Sequence, residues 1–256
     1  MKVIVCKTYE EVSVESAKIV ADVMKNKPNA ILGLATGSTP EGMYSELAKM
    51  NAAGEIDFSD ITTVNLDEYY PISPDNDQSY RYFMNKNLFD RVNIDKARTN
   101  VPNGAAPDGD KEAERYENFV RSLGGADIQV LGIGRNGHIA FNEPDEELVP
   151  VTHVTSLTED TIDANARFFE SAKDVPTKAL TMGMGTILSA KKIIIIANTT
   201  VMKITRTFNS LIFFAISSRY SFGSGRTMGS IISSPPVSCL GRCDFFFNFS
   251  SSLFFD

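Results

Sequence analysis

Residues 29–50, NAILGLATGSTPEGMYSELAKM, decide the fold class. The run opens with an apolar segment, as expected of a strand that is buried on both faces of a sheet. A glycine-containing turn follows, and Ser38 or Thr39 can cap a helix that starts there. Pro40 lies in the first turn of that helix, and Glu41 is favoured at its positive end. A buried strand that leads through a short turn into a helix is the building unit of an α/β sheet.

The same alternation continues through residue 198. Strands are predicted in KVIVCK, ITTVNLDEYY, DIQVLGIG and KKIIIIAN. Helices are predicted in YEEVSVESAKIVADVMKNK, DQSYRYFMNKNLFD, DKEAERYENFVRSLG, TEDTIDANARFFES and TKALTMGMGTILSA. Strands that alternate with helices imply βαβ units and a mostly parallel sheet, in which ligands bind outside the carboxyl ends of the strands.

Residues 199–256 have a different composition. This segment holds twelve serines and ten phenylalanines but two acids and five bases, whereas residues 1–198 carry 30 acids and 20 bases. No helical or strand period persists in it. The sequence therefore predicts an α/β domain over residues 1–198 and an atypical Ser/Phe-rich tail over residues 199–256.

The overall composition excludes several classes of partner. A net charge of −7 argues against nucleic acid, since phosphate backbones are bound by basic surfaces. No apolar run approaches the roughly 18 residues of a membrane span, and the N-terminal apolar run is too short for a signal peptide. Three cysteines do not make a disulfide framework. A cytoplasmic protein without a membrane partner is expected.

The stretch Gly132–Gly137, GIGRNG, fits the G-x-G-x-x-G spacing of a dinucleotide-binding turn. Such a turn must open a helix, but HIAFNEP reaches a proline seven residues after Gly137, so a dinucleotide site is rejected. The glycines are instead expected to let a loop run close to a ligand. His138 with Glu143 as a carboxylate partner suits proton transfer near neutral pH, and a structural histidine is the alternative.

Two further clusters carry chemistry. The turn at residues 34–42 exposes backbone N–H groups at the positive end of a helix and suits a phosphate, although a plain strand-to-helix turn explains it equally well. Asp67 and Glu68 end a strand and should point to opposite sides of it, so at most one faces the cleft. Asp67, ionised at neutral pH, is a candidate base. A capping or salt-bridging acid is the alternative. Arg167 is a candidate phosphate ligand, and His153 is interpreted as structural.

Taken together, LATGSTPEGMY, NLDEYY, GIGRNGHIAFNEP, ARFF and ALTMGMGTILSAKKIIIIAN resemble the glucosamine-6-phosphate deaminase family from the N-terminus to about residue 198. The resemblance implies a doubly wound α/β fold of Rossmann-like type with three αβα layers and no dinucleotide. It implies conversion of glucosamine 6-phosphate to fructose 6-phosphate and ammonia, without a metal or organic cofactor. It favours a monomer, although longer members form homo-oligomers.

The resemblance also assigns roles to individual residues. Asp67 would be the base that moves a proton from C2 to C1. His138 would open the pyranose ring, assisted by Asn136 and Glu143. The phosphate would be held by the turn and two basic side chains, namely Thr36, Gly37, Ser38, Thr39, Arg167 and Lys203. The helix around TEDTIDANARFF would be a mobile lid.

Two features depart from the family pattern, and two other functions compete with the deaminase interpretation. Met202 stands where a phosphate-binding lysine is expected, which leaves Lys203 one residue late, and the closing helix and strand of the family are not recognisable in the tail. A 6-phosphogluconolactonase shares the fold and the phosphate turn but needs no base for C2. A sugar-phosphate-binding protein without activity is the second alternative.

Overall fold

The computed structural model describes residues 2–134, 136–158, 162, 175–198 and 211–216, the last of these by backbone alone. Ten strands occur in it: β1 Lys2–Cys6, β2 Ile31–Leu34, β3 Thr62–Asn65, β4 Asp67–Tyr70, β5 Thr99–Asn100, β6 Ile128–Leu131, β7 His153–Ser156, β8 Lys178–Thr181, β9 Ile193–Asn198 and β10 Leu211–Ile216. The α-helices of the described residues are α1 Tyr9–Asn26, α2 Ser38–Ala52, α3 Tyr80–Met84, α4 Gly109–Ser122 and α5 Met184–Leu188. A π-helical turn, Asn85–Phe89, continues α3, and a 3-10 turn, Lys96–Arg98, precedes β5.

Seven strands form one parallel sheet in the order β1-β10-β9-β6-β2-β3-β5. The chain moves from β2 through β3 to β5 on one side, and then from β6 through β9 to β10 on the other. That reversal between β2 and β6 defines a doubly wound sheet. Helices flank the sheet in the three-layer αβα arrangement, and the predicted fold class is confirmed.

Apolar patterning explains the main elements. All four residues of β2 and of β6 are buried, as expected for central parallel strands. The helix α1 begins after Thr8, whose hydroxyl accepts the N–H of Glu11 at 3.2 Å. One side of α1 faces the core, since Val12, Ala17 and Val20 are each buried.

A second, three-stranded antiparallel sheet in the order β4-β8-β7 is absent from the sequence prediction. The segment TKALTMGMGTILSA, predicted as one helix, instead forms β8 and then the short helix α5. The reason is tertiary, because Lys178–Thr181 pairs along its whole length with both β4 and β7. Likewise, NLDEYY divides between β3 and β4 at Leu66 rather than running as one strand.

The strand β10 lies beyond residue 198, in the segment where the sequence showed no strand pattern. It pairs in parallel with β9 on one side and β1 on the other, so it is an interior strand of the main sheet. Its sequence, LIFFAI, does not alternate between polar and apolar residues, because an interior strand of a parallel sheet can be apolar throughout. A strand thus follows residue 198 although none was recognisable in the tail sequence, while the domain division at residue 198 stays a prediction.

No helix in the described part of the chain is long and apolar enough to cross a membrane.

Candidate active site

Three polar segments meet at one edge of the main sheet. The strands β6, β2 and β3 are adjacent and parallel, so their carboxyl ends lie together. The turn at Gly37 follows β2, Asp67 follows β3, and the loop containing His138 follows β6. The edge between β2 and β6 is the topological switch point, where open α/β sheets form their ligand-binding crevice.

The end of β8 connects Asp67 to the loop of His138. Asp67 is the register partner of Thr181 across β4 and β8. The Thr181 hydroxyl accepts the N–H of Phe141, at 3.1 Å, and the Asn142 side-chain amide donates to the Met182 carbonyl at 2.9 Å. Both Phe141 and Asn142 belong to the loop that follows β6. Asp67 and the loop that follows β6 are thus both held at the end of β8, although they lie far apart in sequence.

Asp67 is buried, with 6% of its surface exposed. Burial raises the pKa of its carboxyl group to about 8, and the neighbouring charge of Glu68 adds to the rise. Burial also raises the pKa of Tyr44, Tyr80 and Tyr116, and the negative charge of Asp67 contributes to each of these shifts. The expectation of an ionised Asp67 at neutral pH is therefore wrong for this state of the protein. The sequence pattern carries no measure of desolvation.

Glu68 points away from Asp67 and caps α3. One carboxylate oxygen accepts the N–H groups of Tyr69 at 3.0 Å and Tyr80 at 2.8 Å. The other accepts the Ser79 hydroxyl at 2.8 Å and the Arg81 N–H at 2.9 Å. Of the two readings given to this acidic pair, the capping one thus fits Glu68.

The backbone hydrogen bonds of His138 hold it in a tight loop. Its carbonyl accepts the N–H of Gly134 at 2.9 Å, and its N–H donates to the Asn136 side-chain oxygen at 3.2 Å. The Asn136 side-chain N–H donates to one Glu143 oxygen. The other Glu143 oxygen lies 3.8 Å from His138 Nδ1, which is beyond a hydrogen bond and leaves that buried nitrogen without a hydrogen-bond partner.

Burial lowers the pKa of His138, and the nearby Glu143 carboxylate opposes that shift. The imidazole is therefore largely neutral at pH 7, which is the form required to accept a proton. Because Asn136 engages Glu143 and also receives the backbone of His138, it sets the relative position of both side chains.

The G-x-G-x-x-G stretch makes a turn rather than a cofactor cradle. Among the described residues that follow Gly137, a short bridge between Ile139 and Asn142 occurs instead of a helix. Gly137 has a φ of +94°, which favours glycine. A β-carbon at Gly134 would lie 2.3 Å from the His138 ring. At this position the missing side chain makes room for the imidazole, whereas the sequence interpretation reserved the space for a ligand.

Gly134→Ala is expected to displace the imidazole and lower kcat/KM by ~10–100-fold, since an ångström of misplacement can cost that much. The fold should survive, because the methyl group meets a side chain that can move. Steady-state kinetics and a melting curve measure both effects. Gly132→Ala is the comparison variant, as its methyl would meet no atom of the described residues within 4 Å apart from its chain neighbours. An equal loss in the two variants would contradict this account.

The turn after β2 differs in detail from its predicted form. The helix α2 has Gly37 as its N-cap, with a φ of +96° and no side-chain capping bond, so neither Ser38 nor Thr39 is the cap. The Tyr9 hydroxyl lies 2.8 Å from the Ser38 carbonyl and accepts the N–H of Gly42 at 2.8 Å. It thus bridges two groups that an α-helix would pair directly, and it anchors the first turn of α2 to α1.

Arg167 and Lys203 lie outside the described residues, as does the segment TEDTIDANARFF apart from Thr158 and Ile162. Thr36 lies in the same turn, between β2 and α2. His153 starts β7, where its Nδ1 lies 2.9 Å from the Val151 carbonyl. These contacts agree with the structural role expected for His153.

Sequence reasoning missed four contributors to the site. Thr181 was hidden in a segment predicted to be helical. Tyr69, Tyr80 and Phe141 form an aromatic group, with ring centroids 4.9 Å apart for the two tyrosines and 6.0 Å apart for Tyr80 and Phe141. The repeated tyrosines in NLDEYY and QSYRYF were a usable signal, since buried tyrosines favour a hydrogen-bonded polar site.

Comparison with known proteins identifies the class. The family model described as glucosamine-6-phosphate isomerases/6-phosphogluconolactonase matches residues 7–201. The chain belongs to this family of sugar-phosphate enzymes.

Particular relatives narrow the class further. A glucosamine-6-phosphate deaminase from Clostridium beijerinckii is 60% identical over 196 residues, which cover 77% of this chain and 81% of that protein. The enzyme of the same name from Clostridium perfringens is 56% identical over 198 residues, which cover 77% and 82%. A solved structure titled as a monomeric glucosamine-6-phosphate deaminase has a TM-score of 0.80 and 44% identity, and the match covers 85% of this chain and 98% of that one.

A 6-phosphogluconolactonase from Thermotoga maritima has a TM-score of 0.63 at 18% identity, with 84% of this chain and 98% of that chain covered. This second likeness shows the shared fold alone.

Proposed function

We propose that this protein converts glucosamine 6-phosphate and water to fructose 6-phosphate and ammonia, a step of amino-sugar catabolism. The observation that carries the proposal is the connection of Asp67 to the His138 loop through Thr181. That connection supports a crevice shared by a carboxyl group and an imidazole, the two groups proposed here as bases. The relatives named as deaminases, at 56–60% identity, support the same substrate.

The chemistry follows from two proton transfers. The neutral His138 imidazole takes the proton from the O1 hydroxyl and delivers it to O5 as the C1–O5 bond breaks, so the pyranose ring opens to the aldehyde. The Asp67 carboxylate then takes the proton from C2 and returns it to C1, so that an enolamine becomes a ketose imine. Water adds to that imine at C2, and ammonia leaves. Positioned acids and bases of this kind contribute ~10²–10⁴-fold each.

Asn136 and Glu143 are proposed to orient the ring-opening base. Glu143 Oε1 is 3.8 Å from His138 Nδ1, so a small side-chain rotation completes a hydrogen bond to the imidazole. A carboxylate there stabilises the imidazolium that forms when His138 accepts a proton. No metal ion or organic cofactor takes part in this scheme.

The phosphate is proposed to bind at the turn Thr36–Thr39. The positive end of α2 favours an anion, and its first-turn N–H groups point toward that end. Arg167 and Lys203 stay proposed ligands by resemblance to the family. The monomer is the proposed form, in line with the relative titled as monomeric, and the cytoplasm is the proposed compartment.

Ammonia release from glucosamine 6-phosphate tests the function directly, with 6-phosphogluconolactone hydrolysis run beside it. Ammonia release without lactone hydrolysis is the expected outcome. Lactone hydrolysis alone would favour the lactonase. Binding of glucosamine 6-phosphate without turnover would favour the inactive binding protein.

The pH dependence of kcat/KM follows from the raised pKa of Asp67, about 8. The base works only without its proton, so kcat/KM is expected to rise as pH increases from 6 and to level off above about 8. Initial rates between pH 6 and 9.5, in buffers of constant ionic strength, measure this. A rate that is already constant at pH 6 would contradict the assignment.

A further inference from the structure

Glu68 is a buried carboxyl group whose hydrogen-bond donors are all neutral. The residue is 2% exposed, and its partners are three backbone N–H groups and the Ser79 hydroxyl. Within the described ranges no lysine or arginine forms an ion pair with it. The Arg81 guanidinium donates instead to Thr99, at 2.8 Å and 3.0 Å. Burial raises the pKa of the Glu68 carboxyl group, and the four donors oppose that rise by favouring the ionised form.

The same contacts fix the aromatic group beneath the site. Because Glu68 accepts the N–H groups of Tyr80 and Arg81, it holds the first turn of α3 against β4. The Tyr80 ring is thereby held beside Tyr69 and stacks on Phe141, with an interplanar angle of 3°. Phe141 belongs to the loop that carries His138. Glu68 is thus connected to Asp67 along β4 and to the His138 loop through Tyr80.

We propose that Glu68 is a positioning residue for the deamination reaction. Through α3 and Tyr80 it fixes the position of Asp67 relative to His138, and the charge of Glu68 keeps Asp67 a strong base. The inference rests on the proposed function. It assigns Glu68 no contact with the substrate.

The groups that face this pair come from several elements. The charge of Asp67 acts on four tyrosines, namely Tyr44 on α2, Tyr69 on β4, Tyr80 on α3 and Tyr116 on α4. All four are neutral near pH 8, because burial raises the pKa of each tyrosine. Glu68 is the described anion that raises the pKa of Asp67, and Arg81 is the cation on the facing helix.

Glu68→Gln is the decisive variant. The amide keeps the shape but removes the charge, and its NH₂ group cannot accept the N–H of Arg81. We expect a 10–100-fold lower kcat and a KM changed less than about threefold. The rise of kcat/KM with pH, called the pH–rate limb below, should move about one unit toward acid pH. A limb that stays in place would overturn the proposal, whether or not kcat falls, because a purely structural residue lowers the rate equally at every pH.

Ser79→Ala is the matched control. It removes one donor to Glu68 and the N-cap of α3 while the Glu68 charge remains. This variant is expected to melt at a lower temperature with the pH–rate limb unmoved. A limb that shifts as far as in Glu68→Gln would count against a role for the charge.

A measurement independent of turnover separates this inference from the proposed function. In protein labelled with ¹³C at aspartate and glutamate carboxyl carbons, the Asp67 signal is assigned by its absence in Asp67→Asn. It should titrate near pH 8 in the parent protein and lower in Glu68→Gln. If Glu68→Gln does not fold, the titration of the parent protein still tests the proposal. A Glu68 signal that titrates between pH 6 and 9 would overturn the proposal, since Glu68 would then lack its charge where the enzyme works.

Discussion

Replacement of Asp67 by asparagine is expected to lower the rate of ammonia release by ~10²–10⁴-fold, because the C2 proton then has no acceptor. The substitution keeps the size of the side chain, so binding of glucosamine 6-phosphate should change little. Calorimetric titration of the variant with substrate and an ammonia assay measure the two effects. Substantial ammonia release by Asp67→Asn would remove Asp67 from the mechanism.

The same variant is expected to be more stable than the parent at alkaline pH. The pKa of Asp67 is about 8 in the folded protein and ~3.9 in an unfolded chain, so the folded state binds more protons between these values. Stability contributed by the protonated carboxyl is therefore lost as pH rises from ~3.9 to about 8. Asparagine cannot ionise and escapes that loss. Melting curves at pH 5 and pH 9 should show a larger gain for Asp67→Asn at pH 9 than at pH 5.

Replacement of His138 by asparagine is expected to cost ~10²–10⁴-fold in ammonia release from glucosamine 6-phosphate, since proton transfer from the O1 hydroxyl to the ring oxygen O5 is lost. Steady-state rates at pH 8 measure the effect. The loss should disappear with a 4,5-dideoxy analogue of the substrate, which has no hydroxyl with which to close a sugar ring.

The analogue distinguishes the two bases. His138→Asn should process it at nearly the parent rate, while Asp67→Asn should not process it. An equally slow reaction of His138→Asn on the ring-closed substrate and on the analogue would show that the imidazole acts after ring opening.

The parallel core was predictable because its strands are short apolar runs between turn residues. DIQVLGIG and KKIIIIAN have no plausible exposed face, and they form β6 and β9. The small antiparallel sheet was not predictable in this way, since Ala179 and Leu180 fit either a helix or a strand. Their strand conformation depends on β4 and β7, which lie far away in sequence.

The candidate site was likewise predictable in part. The chemistry of His138 and Asp67 is visible in their residue types and their place after strands. What the sequence could not contain is the environment of each group. The raised pKa of Asp67 and the unsatisfied Nδ1 of His138 both depend on burial in the folded protein. The use of Gly134 as space for an imidazole is likewise a property of the folded loop.

The position of β10 between β1 and β9 has a consequence for the order of events during synthesis. The first described strand, Lys2–Cys6, pairs with a strand that ends at Ile216. At ~5–20 residues per second, β1 waits on the order of 10–40 seconds for that partner. Until then the growing chain has no β10 to pair with β9. The nascent protein therefore depends on the last described strand to join β1 to the rest of the sheet.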